Sequence, residues 1–436
     1  MRFFVRTFGC QMNFHDSRRI EEILTAAGHE AVTDATRAEL LLVNSCTIRE
    51  KPWHKAISET GRFRKRKSRD HALLVGLVGC VAQQEGDRVF KLLNGVDFVI
   101  SPDNYQQLPA VIAHLQERGK PACITGFDRG EAEDFLGVQE VRSHEISTFV
   151  TITKGCDERC HYCIVPSVRG PERHRDADRI VAEVRGLVKR GVREVTLLGQ
   201  KVNAYAAGGV DFAELLRRLD DVDGLLRLRF TSPHPRHMTD DLIGLYGRLR
   251  TLCPAIHLPV QAGSDRVLAA MGRRYTRADY LRVVEKLRAR EKDMAISTDL
   301  IVGFPGESQR DFEQTLSLIG EAGFSSAFSF MYSPRPGTAA WDLHDDVPLV
   351  EKERRLAAAH VVIDASERRF RETLPGTRQD VLVEGKGRMP GQLTGRAGNF
   401  QIVNFTCDRP FDEVCGRLVP VVVTAINPNS LEGRMA

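Results

Sequence analysis

The sequence predicts an α/β protein in three parts: an open α/β N-terminal domain, a partial six-stranded (β/α) barrel, and a small C-terminal antiparallel β-barrel. Apolar, strand-like runs alternate with helix-like segments over most of the 436 residues, which is typical of parallel sheets. The last stretch holds short strands separated by glycines, which is typical of a small barrel. We expect the parts to span residues 1–120, 145–374 and 375–436, with a linker at 121–144.

In the N-terminal part, a cysteine follows shortly after each of three strand-like runs. The runs and their cysteines are 2–8 with Cys10, 40–43 with Cys46, and 73–78 with Cys80. Ligands of an open α/β sheet bind beyond the carboxyl ends of its strands, so the sequence predicts that the three thiols meet at one point. The alternative is that each cysteine is a small buried apolar residue that closes a strand.

The middle part alternates strand-like and helical segments. We place six strands at residues 149–154, 194–199, 226–231, 255–260, 294–302 and 326–332. Ser308 and Thr276 are each followed three residues later by an aspartate, which predicts two helix N-termini. Six units are too few for an eight-stranded barrel, so we expect an open barrel that is active at the carboxyl ends of its strands.

Three more cysteines, Cys156, Cys160 and Cys163, lie in one short loop after the first of these strands. Three thiolates suit an iron–sulfur cluster. Because a cluster of four irons normally takes four protein ligands, one iron would remain open for chemistry. Two alternatives stay open at this point: a zinc site with His161 or His174 as the fourth ligand, or no metal at all.

Composition argues against a membrane protein and against a secreted disulfide scaffold. Hydrophobic residues make up 42% and charged residues 28% of the chain, and the longest apolar stretch, 73–82, is well short of the ~20 residues that a membrane span needs. The first residues do not resemble a signal peptide. The ten cysteines suit a reducing compartment, so we expect a cytoplasmic protein with no membrane partner.

Two clusters of basic residues are candidates for contact with nucleic-acid phosphates. With a net charge of only +4, any such contact has to be local. The first cluster is Arg62, Arg64, Lys65, Arg66, Lys67 and Arg69, and the second is Arg169, Arg173, His174, Arg175 and Arg179. The alternative for each cluster is a solvated surface with ion pairs.

Several motifs resemble those of the methylthiotransferase family within the radical S-adenosylmethionine superfamily. The spacing Cys-x3-Cys-x2-Cys at residues 156–163 is the signature of that superfamily, and the segments 7–13, 44–50 and 79–80 carry the family resemblance. The resemblance covers essentially the whole chain, including a C-terminal TRAM domain. Within the family, the chain is most similar to the branch acting on dimethylallyladenosine in tRNA. Gln11 and Met12 favour neither the branch that modifies a ribosomal protein nor the threonylcarbamoyladenosine branch.

The resemblance implies two 4Fe-4S clusters. Cys156, Cys160 and Cys163 would hold the cluster that cleaves S-adenosylmethionine to a 5'-deoxyadenosyl radical, and a second, auxiliary cluster would carry the sulfur. The ligands of the auxiliary cluster would be Cys10, Cys46 and Cys80. Two S-adenosylmethionine molecules would be used, the first as methyl donor and the second as radical source.

The implied reaction adds a methylthio group to C2 of N6-dimethylallyladenosine next to the anticodon of tRNA. The implied partners are the tRNA anticodon arm, an external electron donor, and a carrier of sulfur or clusters. The alternatives are a methylthiotransferase for threonylcarbamoyladenosine tRNA or a ribosomal protein, and a non-catalytic iron–sulfur protein that binds RNA as a redox sensor. The TRAM domain would bind RNA or act only as a stabilising module.

Other residues have weaker assignments. Cofactor contacts are expected for Gln200, Asn203, Ser297, Asp299 and Arg169, with ordinary loop, strand or ion-pair roles as the alternative. We interpret His257 as a hydrogen-bonded core histidine. The remaining cysteines, interpreted as ordinary small residues, are Cys123, Cys253, Cys407 and Cys415.

Overall fold

The computed structural model describes residues 1–48, 50–127 and 145–436. The chain divides into two compact units. Of the described residues, the first unit comprises those within 1–127 together with 154–158 and 163–173, and the second comprises 145–153, 159–162 and 174–436. The loop with Cys156, Cys160 and Cys163 therefore contributes to both units. None of the described helices is both long enough and apolar enough to cross a membrane.

The first unit is built on a six-stranded, all-parallel sheet with the strand order β2-β1-β3-β4-β5-β6. Its strands and helices in chain order are β1 (Arg2–Phe8), α1 (Gln11–Ala26), β2 (Glu30–Ala31), β3 (Leu40–Ser45), α2 (Glu50–Lys67), β4 (Leu74–Gly79), α3 (Cys80–Glu85), α4 (Arg88–Leu92), β5 (Phe98–Ile100), α5 (Leu108–Arg118) and β6 (Ala122–Ile124).

Helices cover both faces of this sheet, which explains why its central strands β3, β4 and β5 are mostly apolar and buried. Ile20 and Leu24 of α1 pack with Leu42 on one face, and Phe63 of α2 packs with Val43 on the other. The open α/β sheet and its three cysteine-bearing strands are therefore as the sequence predicts. The sequence analysis missed the short strands β2, β5 and β6. Strand β6 lies inside the expected linker, and residues 128–144 of that linker lie outside the described residues.

The second unit begins with six parallel strands arranged as two three-stranded sheets, in the orders β13-β10-β7 and β14-β15-β16. Leu228 of β13 forms an isolated parallel bridge with Leu252, which lies shortly before the first strand of the second sheet. The strands are β7 (Ser147–Thr151), β10 (Glu194–Leu198), β13 (Arg227–Phe230), β14 (Ala255–His257), β15 (Ala295–Val302) and β16 (Ser326–Met331). The partial six-stranded barrel is confirmed.

Helices and short strands lie between and after these six strands along the chain. They are β8 (Thr153–Lys154), α6 (Val165–Arg169), β9 (Arg173–His174), α7 (Ala177–Lys189), β11 (Ala206–Ala207), β12 (Val210–Asp211), α8 (Phe212–Asp220), α9 (Asp240–Gly244), α10 (Asp265–Ala270), α11 (Arg277–Arg290), α12 (Gln309–Ala322) and α13 (Leu349–Glu372). Thr276 and Ser308 each form a capping box with the aspartate three residues on, so both predicted helix N-termini are confirmed.

The C-terminal residues form a closed five-stranded barrel with the order β17-β18-β19-β21-β20. Its elements are β17 (Arg378–Lys386), β18 (Gln392–Ala397), β19 (Ile402–Thr406), α14 (Phe411–Val414), β20 (Leu418–Asn427) and β21 (Ser430–Met435). The sequence analysis missed β21, and one detail needs correction: β19 pairs with β21 in parallel, whereas the other pairs are antiparallel. A closed barrel with an odd number of strands cannot alternate direction throughout, so one parallel pair is unavoidable.

Candidate metal centres and cofactor site

The first unit brings the ends of three neighbouring strands together, each followed by a cysteine. Phe8 of β1 is paired with Ser45 of β3, and Ser45 is paired with Gly79 of β4. Cys10 directly precedes α1, Cys46 follows β3, and Cys80 is the first residue of α3. The strand ends are in register, so their cysteines emerge side by side. A Cβ on Gly9 would lie only 2.6 Å from the Cβ of Cys46, which requires glycine at this crossing.

The three thiols influence each other's ionisation. The hydrogen bond from the Cys46 thiol is the largest influence on Cys10, and with the charge of Arg169 it lowers the pKa of Cys10 to about 6 despite burial. The same hydrogen bond, with burial, raises the pKa of Cys46 well above its usual value, and burial raises that of Cys80. One thiolate beside two thiols is a donor set that suits a metal cluster, whose binding would release the remaining protons.

Two buried asparagines support this cysteine site. The Asn13 amide donates to Asn44 Oδ1 at 3.2 Å, and the Asn44 amide donates to the Asn13 carbonyl oxygen and to Ser17 Oγ, both at 2.8 Å. Asn13 Oδ1 also accepts a hydrogen bond from the backbone N–H of Cys10 at 3.4 Å and lies 3.4 Å from Cys10 Sγ. The sequence analysis gave these asparagines no role. The available signal was their closeness in sequence to the cysteines: Asn13 lies three residues after Cys10, and Asn44 lies two residues before Cys46.

Arg169, which belongs to the first unit, is also buried at this site. Its Nε–H donates to Cys80 Sγ at 3.1 Å, and its Nη1 and Nη2 donate to the two carboxylate oxygens of Asp16 at 3.2 and 2.6 Å. With only 3% of the residue exposed, Arg169 cannot meet a tRNA phosphate, and that expectation is wrong. The cofactor contact expected for Arg169 stays a prediction. The side chain that Arg169 contacts here is Cys80, one of the three cysteines expected to bind the auxiliary cluster.

Most of the second basic cluster is likewise used inside the protein. In the first unit Arg173 pairs with Asp103 at 2.7 Å. In the second unit Arg175 is buried, pairing with Glu183 at 2.7 Å and donating to the Thr151 carbonyl oxygen at 2.8 Å, while His174 Nδ1 accepts the Ala206 N–H at 2.7 Å. Most of the basic side chains that the sequence suggested as phosphate ligands therefore bind carboxylates and backbone groups inside the protein.

The loop of the radical signature begins with a tight turn in the first unit. Gly155 has φ +81°, and a Cβ there would collide with the carbonyl oxygen of Pro171. The Cys156 N–H donates to the Gly170 carbonyl oxygen at 3.1 Å, which joins the start of the loop to the end of α6. After Cys163, the residues Ile164 and Val168 pack against Cys80. Residues flanking the signature loop thus contact the auxiliary cysteine site.

Cys160 belongs to the second unit, where a buried arginine faces it. Arg273 Nη1 donates to Cys160 Sγ at 3.4 Å, while Nη2 donates to the Pro259 carbonyl oxygen at 3.1 Å. His161 Nδ1 lies 2.7 Å from the Ala270 carbonyl oxygen. One thiol of the signature loop therefore lies in hydrogen-bond contact with a buried guanidinium.

Ser297 and Asp299 lie together on β15 and share a histidine partner. His257 Nδ1 is 3.0 Å from Ser297 Oγ, and His257 Nε2 is 3.4 Å from Asp299 Oδ2. The hydrogen bonding expected for His257 is confirmed, but 27% of its side chain is exposed, so it lies at the edge of the core. Asp299 Oδ1 is buried and has no hydrogen-bond partner among the described residues. Such an oxygen fits a ligand that carries hydroxyl or ammonium donors.

Gln200 and Asn203 follow the carboxyl end of β10. The Asn203 amide donates to the His234 carbonyl oxygen at 2.9 Å and accepts the His234 N–H at 2.8 Å, so it fixes the backbone of a neighbouring loop. Gln200 is half-buried. Asn203 therefore has a structural role, and the cofactor contacts predicted for both residues remain predictions.

The first basic cluster lies on α2 and the turn after it, and only part of it faces solvent. Arg66 donates to the carbonyl oxygens of Ala35 and Ala38, and Lys67 pairs with Asp97. The exposed members are Arg62, Arg64, Lys65 and Arg69. We call these four residues the basic face of α2.

Comparison with known proteins assigns all three parts of the chain. Residues 150–319 match the Radical SAM superfamily, residues 2–101 match the Uncharacterized protein family UPF0004, and residues 372–436 match the TRAM domain. The chain is 42% identical over 442 residues to the tRNA-2-methylthio-N(6)-dimethylallyladenosine synthase of Neisseria meningitidis serogroup C, covering 100% of this chain and 99% of the relative. The chain belongs to the radical S-adenosylmethionine methylthiotransferases.

Further relatives of this methylthiotransferase agree over their whole length. The synthase of the same name from Agrobacterium fabrum is 43% identical over 447 residues, covering 100% of this chain and 97% of the relative. Among solved structures, the radical S-adenosylmethionine methyltransferase TsrM from Kitasatospora setae has a TM-score of 0.59 at 16% identity, covering 78% of this chain and 77% of that one. At that identity the likeness shows the fold alone. The predicted family and fold class are thus confirmed, and the expected domain bounds stay a prediction.

Proposed function

We propose that this methylthiotransferase adds a methylthio group to C2 of N6-dimethylallyladenosine next to the anticodon of tRNA. The observation that carries the proposal is the meeting of Cys10, Cys46 and Cys80 at three strand ends, within a chain that also has the radical signature. Full-length relatives at 42 and 43% identity that bear this activity as their name support the choice of substrate. A plain radical enzyme would need only the signature cysteines.

The two cysteine sets would each hold one 4Fe-4S cluster. Cys156, Cys160 and Cys163 would bind the first, and Cys10, Cys46 and Cys80 the auxiliary one; both sets leave one iron without a protein ligand. When bound, the first cluster and S-adenosylmethionine supply a carbon radical able to abstract hydrogen from an unactivated C–H bond, and the auxiliary cluster supplies sulfur. Since zinc has no redox chemistry, a zinc site could not serve this reaction.

The surrounding residues would hold and orient these groups. Arg273 keeps a guanidinium beside Cys160, and Arg169 does the same for Cys80. Ser297, Asp299 and His257 present polar atoms at the edge of the barrel core, with one carboxylate oxygen available to accept from a ligand. We assign this group to the binding of S-adenosylmethionine, together with Gln200.

The basic face of α2 and the C-terminal barrel would bind the anticodon arm. A base in a loop is already unstacked, so it can enter a deep site without opening a duplex. The proposed partners also include an external electron donor and a carrier of sulfur or clusters, and we place the reaction in the cytoplasm, where thiols stay reduced.

The substrate is tested in a strain that lacks the gene for this protein. Nucleosides from its tRNA are analysed by mass spectrometry with and without a plasmid carrying the intact gene. We expect the methylthio mark on dimethylallyladenosine to disappear and to return with the plasmid. An unchanged mark on that base, together with a lost mark on threonylcarbamoyladenosine or a ribosomal protein, would assign the enzyme to one of the other branches.

The two clusters are tested by iron content and Mössbauer spectra of anaerobically reconstituted protein. We expect about eight irons per native chain, and about half of them after Cys156, Cys160 and Cys163, or Cys10, Cys46 and Cys80, are all replaced by alanine. Cys123→Ala is the matched control, because Cys123 is a half-buried cysteine of the same unit outside both sets. Full iron content in either triple variant contradicts the assignment, and so does native protein that forms no 5'-deoxyadenosine when reduced.

A further inference from the structure

Arg169 makes hydrogen bonds both to a carboxylate and to the sulfur of Cys80. The two terminal nitrogens of Arg169 bind the Asp16 carboxylate end-on, at 3.2 and 2.6 Å, which leaves the Nε–H free to point elsewhere. That N–H donates to Cys80 Sγ at 3.1 Å. The guanidinium is thus held by a carboxylate on one side and aimed at a sulfur on the other.

Asp16 is itself fixed by its surroundings. It lies in α1, the helix that starts directly after Cys10, and it accepts a hydrogen bond from the Tyr105 hydroxyl at 3.5 Å. Asp16 and Arg169 are both buried, at 7 and 3% exposure. Burying two charges costs desolvation free energy unless all of their hydrogen-bonding groups have partners. An arginine that served only for packing would therefore be destabilising here. The sulfur of Cys80 is the acceptor that completes the arrangement.

An N–H donor and a positive charge at a ligand sulfur have a defined effect on an iron–sulfur cluster. Reduction adds one electron and no proton, so the cluster and its thiolates become more negative. Hydrogen bonds to the sulfurs and nearby positive charge stabilise this reduced form and raise the reduction potential. Removing them lowers it.

We propose that Arg169, held in place by Asp16, is a positioning residue of the auxiliary cluster that raises its reduction potential through the Nε–H···Sγ hydrogen bond to Cys80. The inference rests on the proposed function, because it requires that Cys80 binds a cluster. Arg169 stands six residues after Cys163, in α6. The segment that follows the radical signature therefore tunes the other cluster, which accepts an electron more readily than a cluster with three unassisted thiolates.

The test uses the full chain with Cys156, Cys160 and Cys163 replaced by alanine, so that only the auxiliary cluster is present. Reconstituted protein is titrated anaerobically with dithionite and mediators, and the reduced cluster is followed by electron paramagnetic resonance. For Arg169→Met we expect at least about a tenfold smaller ratio of reduced to oxidised cluster at fixed potential, which is a midpoint lower by about 59 mV.

The matched control is Arg173→Met, four residues away in the same unit, whose guanidinium pairs with Asp103 instead of a cysteine. It should leave the midpoint unchanged. Because Arg169→Met alone leaves Asp16 buried without its arginine, the double variant Asp16→Asn/Arg169→Met provides a neutral replacement and should show the same lowered midpoint. Arg169→Lys keeps the positive charge but not the planar guanidinium. Its midpoint potential should lie between that of the protein with Arg169 and that of Arg169→Met.

The results separate this inference from the proposed function. If the chain with Cys156, Cys160 and Cys163 replaced by alanine contains no iron, the assignment of an auxiliary cluster is wrong. If that triple-alanine chain holds its cluster and both Arg169→Met variants leave the midpoint potential unchanged, the cluster assignment stands and the proposed role of Arg169 is wrong.

Discussion

Nη1 of Arg229 donates to the carbonyl oxygen of Gly398 at 2.9 Å, so a strand of the core reaches into the hairpin between β18 and β19. Nη2 donates to the Ala397 carbonyl oxygen at 3.1 Å, and Nε lies 3.1 Å from Glu194 Oε2. Arg227 makes the same kind of contact with the Arg396 carbonyl oxygen at 2.6 Å. Two buried arginines thus fasten the C-terminal barrel to the core.

Replacing Arg229 with methionine should loosen this attachment. The change removes two hydrogen bonds and leaves Glu194, which is 3% exposed, with Arg227 at 3.8 Å as its remaining ion-pair partner. We expect a cost of about 3 kcal/mol, at the low end for breaking a buried pair. Amide hydrogens of β18 and β19 should then exchange about 100-fold faster, measured by mass spectrometry.

The control for this variant is Arg217→Met. Arg217 pairs with Asp241 at 2.5 Å, but their side chains are 40 and 57% exposed. Such a surface pair contributes at most about 1 kcal/mol. Equal exchange rates in the two variants would mean that the buried contacts do not secure the barrel.

Gly155→Ala should disturb the loop that begins the radical signature. Alanine would be strained at φ +81°, and its Cβ would also collide with the Pro171 carbonyl oxygen, so the turn before Cys156 has to move. We expect the purified variant to hold about half the iron of the native protein. Gly119→Ala is the control, because Gly119 has φ +66° with nothing near its Cβ, and its cost should stay at about 1 kcal/mol. Full iron content in Gly155→Ala would contradict the expected movement.

The metal-free, reduced protein should have one unusually reactive cysteine. The hydrogen bond from Cys46 and the charge of Arg169 lower the pKa of Cys10 to about 6, so above that pH its thiolate is the main form. Burial and the hydrogen bond it donates keep Cys46 protonated, and burial with Asp87 nearby raises the pKa of Cys123 to about 11. Brief iodoacetamide treatment followed by peptide mass spectrometry should show half-maximal labelling of Cys10 near pH 6.

The controls for this labelling lie in the same chain. Cys123 should stay unlabelled at neutral pH, and Arg169→Met should move the Cys10 midpoint upward, because a positive charge no longer favours the thiolate. Labelling of Cys10 that rises only in parallel with Cys123 would be inconsistent with the hydrogen-bonded thiols.

The sequence was sufficient to predict the cysteine site because its signal is local. Cys10, Cys46 and Cys80 each follow an apolar run, and the rule that ligands gather at strand ends places them together. The missed strands β2, β5 and β6 have three residues or fewer, too short to show a period. The parallel pair in the barrel follows from its five strands, and the sequence analysis missed β21 among them.

The contacts around the site could not be predicted in the same way. Arg169 and Asp16 are 153 positions apart, and a run of basic residues shows nothing about which of them find buried partners. The same holds for Arg66 and Lys67, which are tied to internal oxygens although their neighbours face solvent. Charge in a sequence therefore indicates a possible surface, and only tertiary structure decides which charges remain on it.

The basic face of α2 should contribute to the salt dependence of tRNA binding. Arg62, Arg64, Lys65 and Arg69 are exposed, and each neutralised phosphate adds roughly 0.7 to 0.9 to the slope of log affinity against log salt. Replacing all four with alanine should reduce that slope by about 3, measured by fluorescence anisotropy with an anticodon-arm RNA between ~50 and ~200 mM salt. The matched control removes four exposed basic residues elsewhere: Arg185, Lys189, Arg248 and Arg310. If the two quadruple variants show the same slope, the charges of α2 are solvated surface, and RNA binding has to be assigned to the C-terminal barrel alone.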